Sequence, residues 1–153
     1  MSSRPPSVVI VAATTSSDTK ASFSNFGDYI HLSAPGAGIY TTTWGQSYTS
    51  ISGTSFSAPI AAGVAALVMS ANPSLTPAQV ENILLSTAVD LGTAGRDIYF
   101  GYGRVDAAAA VAAAKSTGGN FTATDTQPPV ASISAPLGSA TVSGLTPVNV
   151  TVS

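Results

Sequence analysis

Cysteine is absent from this sequence, and charged residues are scarce. Without cysteine, a disulfide framework, a thiolate nucleophile and a cysteine-ligated metal site are excluded. Charged side chains make up 8% of the 153 residues, against roughly 25% in typical soluble domains. The five Lys and Arg residues form no cluster. We therefore expect no nucleic-acid partner, because such a partner requires a basic surface along its phosphate backbone.

Long hydrophobic runs are missing as well. The longest, Ala58–Met69, contains Pro59 and Gly63 and is shorter than the ~20 residues that cross a bilayer. We expect a buried helix there and no membrane span. The hydrophobic fraction of 44% predicts a folded chain rather than a disordered one. Few charges, abundant Ser, Thr, Gly and Ala, and no cysteine are typical of a secreted bacterial protein.

Composition divides the chain near Lys115, after which Asp125 is the only charged residue. Residues 1–115 form one region, and residues 116–129 have the Thr, Gly, Asn and Pro content of a linker. Residues 130–153 alternate in hydrophobicity. They predict short strands at Val130–Ser134, Ala140–Ser143 and Val148–Ser153, the unfinished opening of an all-β sandwich module of immunoglobulin-like type.

In residues 1–115, β-branched runs are followed by long apolar helical segments. This order predicts an α/β fold with a mainly parallel sheet. The predicted helices begin after Gly53, at Thr76 with a Thr-x-x-Gln capping box, and after Asp106. The first of them lacks a polar face, which favours a central position. The predicted strands are Ser7–Ala13, Ile30–Ala34, Ile39–Thr43 and Tyr48–Ser52.

The most specific motif is Gly-Thr-Ser-Phe-Ser-Ala-Pro at residues 53–59. A serine at the start of a buried helix suits nucleophilic catalysis, because unpaired N–H groups and the positive end of the helix dipole favour an oxyanion there. Gly53 leaves room for a substrate to approach the backbone. The competing interpretation is that Thr54 or Ser55 only caps the helix.

This motif resembles the nucleophile motif of the subtilisin-like serine proteases, the subtilases. Flanking segments resemble the same family in the same order, and together they cover about Pro6–Lys115. The resemblance implies the C-terminal portion of a three-layer, subtilisin-like catalytic domain. The matching segments are Pro6–Ala13, Lys20–Gly27, Leu32–Gly36, Ala61–Leu67, Leu75–Val80 and Gly101–Ala107.

The resemblance implies roles for individual residues. Ser55 is expected to attack the scissile carbonyl of a polypeptide substrate and form an acyl-enzyme. Its backbone N–H is expected to donate to the oxyanion, with Thr54 and Gly53 beside it. Phe56 either lines the cleft or fills the core. The leaving-group side of the cleft is expected to involve Ser50, Ile51 and Ser52.

The family's other catalytic groups are missing from the printed residues. Its base is a histidine in a His-Gly-Thr motif, and its orienting aspartate stands in Asp-[Ser/Thr]-Gly; neither motif occurs here. The only histidine, His31, lies in a strand segment and is predicted to be structural. A triad of Asp18 or Asp28 with His31 and Ser55 has no physical support. We therefore expect the isolated chain to be inactive.

Two further expectations complete the sequence argument. The chemistry requires no cofactor; subtilases commonly bind structural calcium, but no run of oxygen ligands identifies a site here, and no metal ligand is assigned. The alternative to a secreted peptidase fragment is a non-catalytic extracellular binding or adhesion protein on a degenerate protease scaffold. The sequence leaves substrate specificity and oligomeric state open.

Overall fold

The computed structural model describes residues 8–117, 131–135 and 149–152. The chain divides into two compact units, Met1–Phe121 and Thr122–Ser153, and each is described by itself. The first unit contains four strands and three helices within its described residues. In chain order they are β1 (Val11–Thr14), β2 (Leu32–Pro35), β3 (Ile39–Thr43), β4 (Ser47–Ile51), α1 (Thr54–Ala71), α2 (Pro77–Ser86) and α3 (Ala107–Ser116).

The two buried strands, β1 and β2, pair in parallel, with Val11 opposite Leu32 and Thr14 opposite Pro35. Both begin later than the sequence predicts and end one residue later. The strands are shorter than the hydrophobic runs because only the residues that lie beside the other strand form the ladder. The α/β architecture is confirmed, and the described part of the parallel sheet has these two strands.

Helix α1 packs on this sheet through one face. Its buried positions are Ser57, Ala61, Val64 and Val68, the four-and-three spacing of a helical stripe. The opposite face, which includes Leu67 and Met69, is exposed. The buried stripe agrees with the predicted central position of this helix, and no described residue covers its exposed face.

Length and hydropathy alone would allow α1 to cross a membrane, although the Pro59 and Gly63 interruptions predicted no span. The helix instead packs against β1, β2, α2 and α3. Those contacts form a core in which Leu32, Val64, Val68 and Leu84 are buried together. In this structure α1 is a core helix.

The two shorter helices have the predicted caps. Thr76 accepts from the Gln79 N–H at 3.4 Å, and its own N–H donates to Gln79 Oε1 at 2.8 Å, which completes the capping box. Asp106 accepts from the Ala109 N–H at 2.9 Å and caps α3. These local bonds fix where each helix begins.

Asn72 ties the end of α1 to the end of α3. It is buried, and its Nδ2 donates to the carbonyls of Ala114 and Thr117 at 3.0 Å each. Its Oδ1 accepts from the Ser74 hydroxyl at 2.6 Å. One side chain thus satisfies carbonyls that a helix C-terminus leaves without partners.

Strands β3 and β4 form an antiparallel hairpin, in which Ile39 lies opposite Ile51 and Thr43 opposite Ser47. The connecting residues are Trp44, Gly45 and Gln46, the last two with positive φ. β4 ends two residues before the N-cap of α1, so the hairpin leads directly into the residues of the nucleophile motif.

In the second unit, β5 (Ala131–Ala135) pairs antiparallel with β6 (Asn149–Val152). Ala131 lies opposite Val152, and the register is irregular between Ile133 and Ala135. The predicted strand Ala140–Ser143 lies outside the described residues.

Candidate active site

The carboxyl ends of β1 and β2 meet the beginning of α1. The Gly36 N–H donates to the Thr14 carbonyl at 3.0 Å, and the Gly53 N–H donates to the Gly36 carbonyl at 2.8 Å. Gly53 is the N-cap of α1. The first turn of the helix is therefore fixed to the edge of the parallel sheet by backbone bonds.

Gly36 allows this close approach. A Cβ at this position would lie 2.2 Å from Ser57 Oγ and 2.7 Å from the Ala13 Cβ, far inside van der Waals contact. Only glycine fits between the sheet and the first turn of α1. This packing role was not predicted from the sequence, in which Gly36 is noted only as the end of the Leu32–Gly36 segment.

Ser55 is the second residue of α1, and its side chain is exposed. The N-cap glycine supplies no side-chain hydrogen bond, so the interpretation of Thr54 or Ser55 as a simple cap is wrong. Among residues 8–117 no acceptor receives the Ser55 N–H. An uncapped N–H beside an exposed hydroxyl, at the positive end of an 18-residue helix, is the arrangement that stabilises an oxyanion.

Pro59 leaves a second backbone group of Ser55, its carbonyl, without the usual helical partner. It lies inside α1, four residues after Ser55, and has no N–H with which to bond the Ser55 carbonyl. Both backbone groups of Ser55 are thus released from the helical hydrogen-bond pattern. The signal was present in the motif, because the i, i+4 spacing of Ser55 and Pro59 can be read from the sequence.

The other predicted cleft residues lie at the same junction. Ser50 and Ile51 end β4 and are exposed. The Ser52 hydroxyl accepts from the Gly38 N–H at 2.9 Å, which holds the segment before Gly53 against the start of β3. Phe56 is partly buried, and its ring lies 3.6 Å from where a Gly53 Cβ would stand. These residues form the end of β4, the segment that leads into α1 and, with Ser55, the helix start, and their role in a cleft stays a prediction.

His31 lies at the opposite end of the sheet. It immediately precedes β2, and its Nδ1 accepts from the Ile10 N–H at 3.1 Å. Gly36, beside the α1 N-terminus, follows the carboxyl end of β2. Five extended residues separate them by roughly 16 Å. The predicted structural role of His31 agrees with this placement.

Neither aspartate of the formal triad forms a hydrogen bond or ion pair with His31 or Ser55 within residues 8–117. Asp18 lies 2.7 Å from the Nε of Arg104 in an ion pair. Asp28 is exposed, and no such contact of its carboxylate with His31 or Ser55 is found among residues 8–117; the Arg96 guanidinium donates to its backbone carbonyl instead. Among residues 8–117, 131–135 and 149–152, no three His, Cys, Asp or Glu side chains are grouped as metal ligands.

Comparison with known families shows to which family this region of the chain belongs. The model of the subtilase family matches residues 2–103. This chain belongs to the subtilase family. The resemblance of the nucleophile motif and its flanks is confirmed at family level, and Ser55 lies within the matched residues.

Curated subtilase relatives are similar over the same region. An extracellular protease of Xanthomonas campestris is 51% identical over 115 residues, covering 70% of this chain and 20% of the relative. The halolysin-like extracellular serine protease Nep of Natrialba magadii is 45% identical over 105 residues, which cover 69% of this chain and 19% of the relative. Subtilisin DY of Bacillus licheniformis is 42% identical over 104 residues, which cover 68% of this chain and 37% of the relative. The chain thus spans between about a fifth and about a third of these relatives.

Solved structures share the subtilase fold. A protease of Pseudoalteromonas arctica superposes with a TM-score of 0.64 at 38% identity, covering 71% of this chain and 36% of that one. MycP1 of Mycobacterium smegmatis gives a TM-score of 0.65 at 33% identity, covering 69% and 30%. The α/β subtilase fold is therefore established for the matched region.

Proposed function

We propose that this chain is the nucleophile-bearing portion of a secreted, subtilisin-like serine endopeptidase, with Ser55 as nucleophile. The observation that carries the proposal is the exposed Ser55 hydroxyl beside its own unpaired N–H, on a helix start bonded to the sheet. Secretion is supported by relatives that are named extracellular proteases. A bacterial source stays a prediction.

In the proposed reaction, Ser55 Oγ attacks the carbonyl carbon of a peptide bond while its proton passes to a base. The tetrahedral oxyanion accepts from the Ser55 N–H. One such donor typically contributes about 10²–10³ in rate. The C–N bond then breaks, the amine leaves with the proton, and water hydrolyses the acyl-enzyme to regenerate Ser55.

We propose that the base and its orienting carboxylate lie outside the residues that the structure describes. Within residues 8–117, the one histidine lies at the far end of the sheet from Ser55. Loss of triad members lowers the rate by about 10⁴–10⁶. We therefore propose that the isolated chain turns over substrate at most at that reduced level.

The uncovered face of α1 supports the same proposal. Its apolar side chains Leu67 and Met69 are half exposed. A cavity of about 210 Å³ lies beside the helix, and its lining is apolar: Val9, Val11, Ala58, Ala61, Ala62, Ala65 and Leu84. Apolar surface of this kind marks an interface. We propose that the remaining portion of a subtilase domain, including the base, packs here.

Fluorophosphonate labelling tests the nucleophile. Residues 8–117 are grafted in place of the matching segment of the Xanthomonas extracellular protease, and the chimera is labelled alongside the isolated chain. We expect stoichiometric labelling of the chimera, its loss in Ser55→Ala, and little labelling of the isolated chain.

Ser57→Ala is the matched control, since it removes a buried hydroxyl from the same helix turn and should leave labelling intact. A folded chimera that resists the reagent would contradict the assignment of Ser55. Stoichiometric labelling of the isolated chain would contradict its proposed inactivity.

For the second unit we propose the first strands of an immunoglobulin-like module. The antiparallel pairing of β5 with β6 supports a β-structured segment. Amide hydrogen exchange tests it. Protection at 140–143, in addition to the two described strands, is expected if a third strand joins them, and rapid exchange throughout 131–152 would contradict the module.

A further inference from the structure

The β3–β4 hairpin carries an exposed aromatic surface that the proposed chemistry does not use. The register places Tyr40 opposite Ser50 and Thr42 opposite Tyr48, so these four side chains share one face of the hairpin. We call this set the tyrosine face. Tyr40 is 73% exposed and Tyr48 61% exposed.

The two tyrosine rings form a preorganised platform. Their centroids lie 5.6 Å apart with an interplanar angle of 16°, a stacked arrangement that favours one orientation of the two rings. Trp44, at the tip of the same hairpin, is 98% exposed. Within residues 8–117, no hydrogen bond engages the hydroxyls of the tyrosine face, so they are available as donors.

Charge narrows the class of ligand. No Asp, Glu, Lys or Arg occurs between Asp28 and Glu81, so the hairpin and the start of α1 carry no ionised side chain to attract a charged partner. Rigid tyrosine and tryptophan rings among small hydroxyl and glycine residues are the composition of surfaces that bind polypeptides. Aromatic-lined surfaces of this kind dock proline-rich extended segments, whose rings stack and whose free carbonyls accept hydrogen bonds.

Position connects this surface with Ser55. Tyr48 lies three residues before Ile51 in β4, roughly 10 Å along the strand, and Ile51 leads through Ser52 and Gly53 into the nucleophile helix. A polypeptide lying in the cleft therefore reaches the tyrosine face within a few extended residues. This continuity favours the substrate itself over an unrelated partner.

We infer that the tyrosine face, together with Trp44, is an accessory binding surface for uncharged, proline-rich segments of the polypeptide substrate. The inference rests on the proposed function, since it makes the bound segment part of the substrate. It deepens that function by naming the substrate class: extended proline-rich polypeptides.

The test measures binding rather than turnover. A fluorescently labelled, uncharged proline-rich peptide of about ten residues is titrated with the full chain, and anisotropy is recorded. The emission of Trp44, the only tryptophan of the chain, is followed in parallel with unlabelled peptide. We expect saturable binding, a shifted Trp44 emission, and binding at least about fivefold weaker for the same peptide with alanine in place of proline.

Variants locate the surface. Tyr40→Thr combined with Tyr48→Thr keeps strand propensity and should weaken binding about tenfold. The control combines Thr41→Ala with Thr49→Ala, a cross-strand pair on the opposite face of the hairpin, and should leave affinity unchanged. Far-UV circular dichroism verifies that each variant retains its helices.

The inference would be overturned by the absence of saturable peptide binding, by binding insensitive to the tyrosine substitutions, or by binding of a neutral oligosaccharide in place of the peptide. If Trp44 emission changed with protein concentration in the absence of peptide, the surface would bind a second copy of this chain, and the inference would also be overturned. Ser55→Ala should bind normally, so loss of peptide binding is separable from failure of the labelling experiment. Peptide binding without labelling of the chimera would overturn the role in substrate binding.

Discussion

Replacing Gly36 with alanine would insert a methyl group between the sheet and the first turn of α1. The added Cβ would lie 2.2 Å from Ser57 Oγ, 2.7 Å from the Ala13 Cβ and 3.0 Å from the Gly53 carbonyl. Ordinary contact therefore requires the helix start to move by about 1 Å. Overpacking of this kind costs about 1–3 kcal/mol. Strain on the 2.8 Å bond between Gly53 and Gly36 adds to it, so we expect a loss of about 2–3 kcal/mol.

A double-mutant cycle with Ser57→Ala isolates the cause. Ser57 Oγ is buried and has no hydrogen-bond partner among the described residues. Ser57→Ala alone should therefore be neutral or slightly stabilising. In the Gly36→Ala background it removes the 2.2 Å contact and leaves the 2.7 Å contact with Ala13. The cost of Gly36→Ala should fall to about 1 kcal/mol, a coupling of about 1–2 kcal/mol.

Urea unfolding followed by far-UV circular dichroism measures these changes in the full chain. Tryptophan emission is unsuitable, because Trp44 is 98% exposed in the folded protein. Gly63→Ala is the matched control: Gly63 lies in α1 with open space around it, so alanine should stabilise by about 0.5–1 kcal/mol. A Gly36→Ala variant as stable as the parent, or one that Ser57→Ala fails to rescue, would refute the close-packing argument.

Two further changes test how the helices are held. Asn72→Ala removes both donors to the α3 carbonyls and should lower the free energy of unfolding by about 2–3 kcal/mol; an unchanged urea midpoint would show that the tie between α1 and α3 contributes nothing. Asp106→Ala removes the cap of α3 and should cost about 1 kcal/mol. Asp106→Asn, which keeps a capping oxygen, should recover most of that loss in the same assay, and equal losses for both variants would argue against a cap.

Local signals predicted the helix starts well. The capping box at Thr76 and the cap at Asp106 depend on residues three positions apart, so a single turn of sequence contains the whole interaction. The nucleophile motif was equally readable, because Gly53, Ser55 and Pro59 act on the same helix turn. Strand positions were close to the prediction, but their ends depended on where the partner strand lay.

What the sequence by itself determined is the set of local features: the cap residues, the apolar character of α1, and a serine at the start of that helix. Only the tertiary structure decided which distant residues meet. In the folded chain Gly36 packs against Ser57, Asn72 donates to the Ala114 carbonyl, and His31 lies at the end of the strand far from Ser55. The physical reason is the separation along the chain of the residues that interact. Hydrogen bonds within one helix turn are encoded by adjacent residues, whereas contacts across the sheet follow from how whole elements pack.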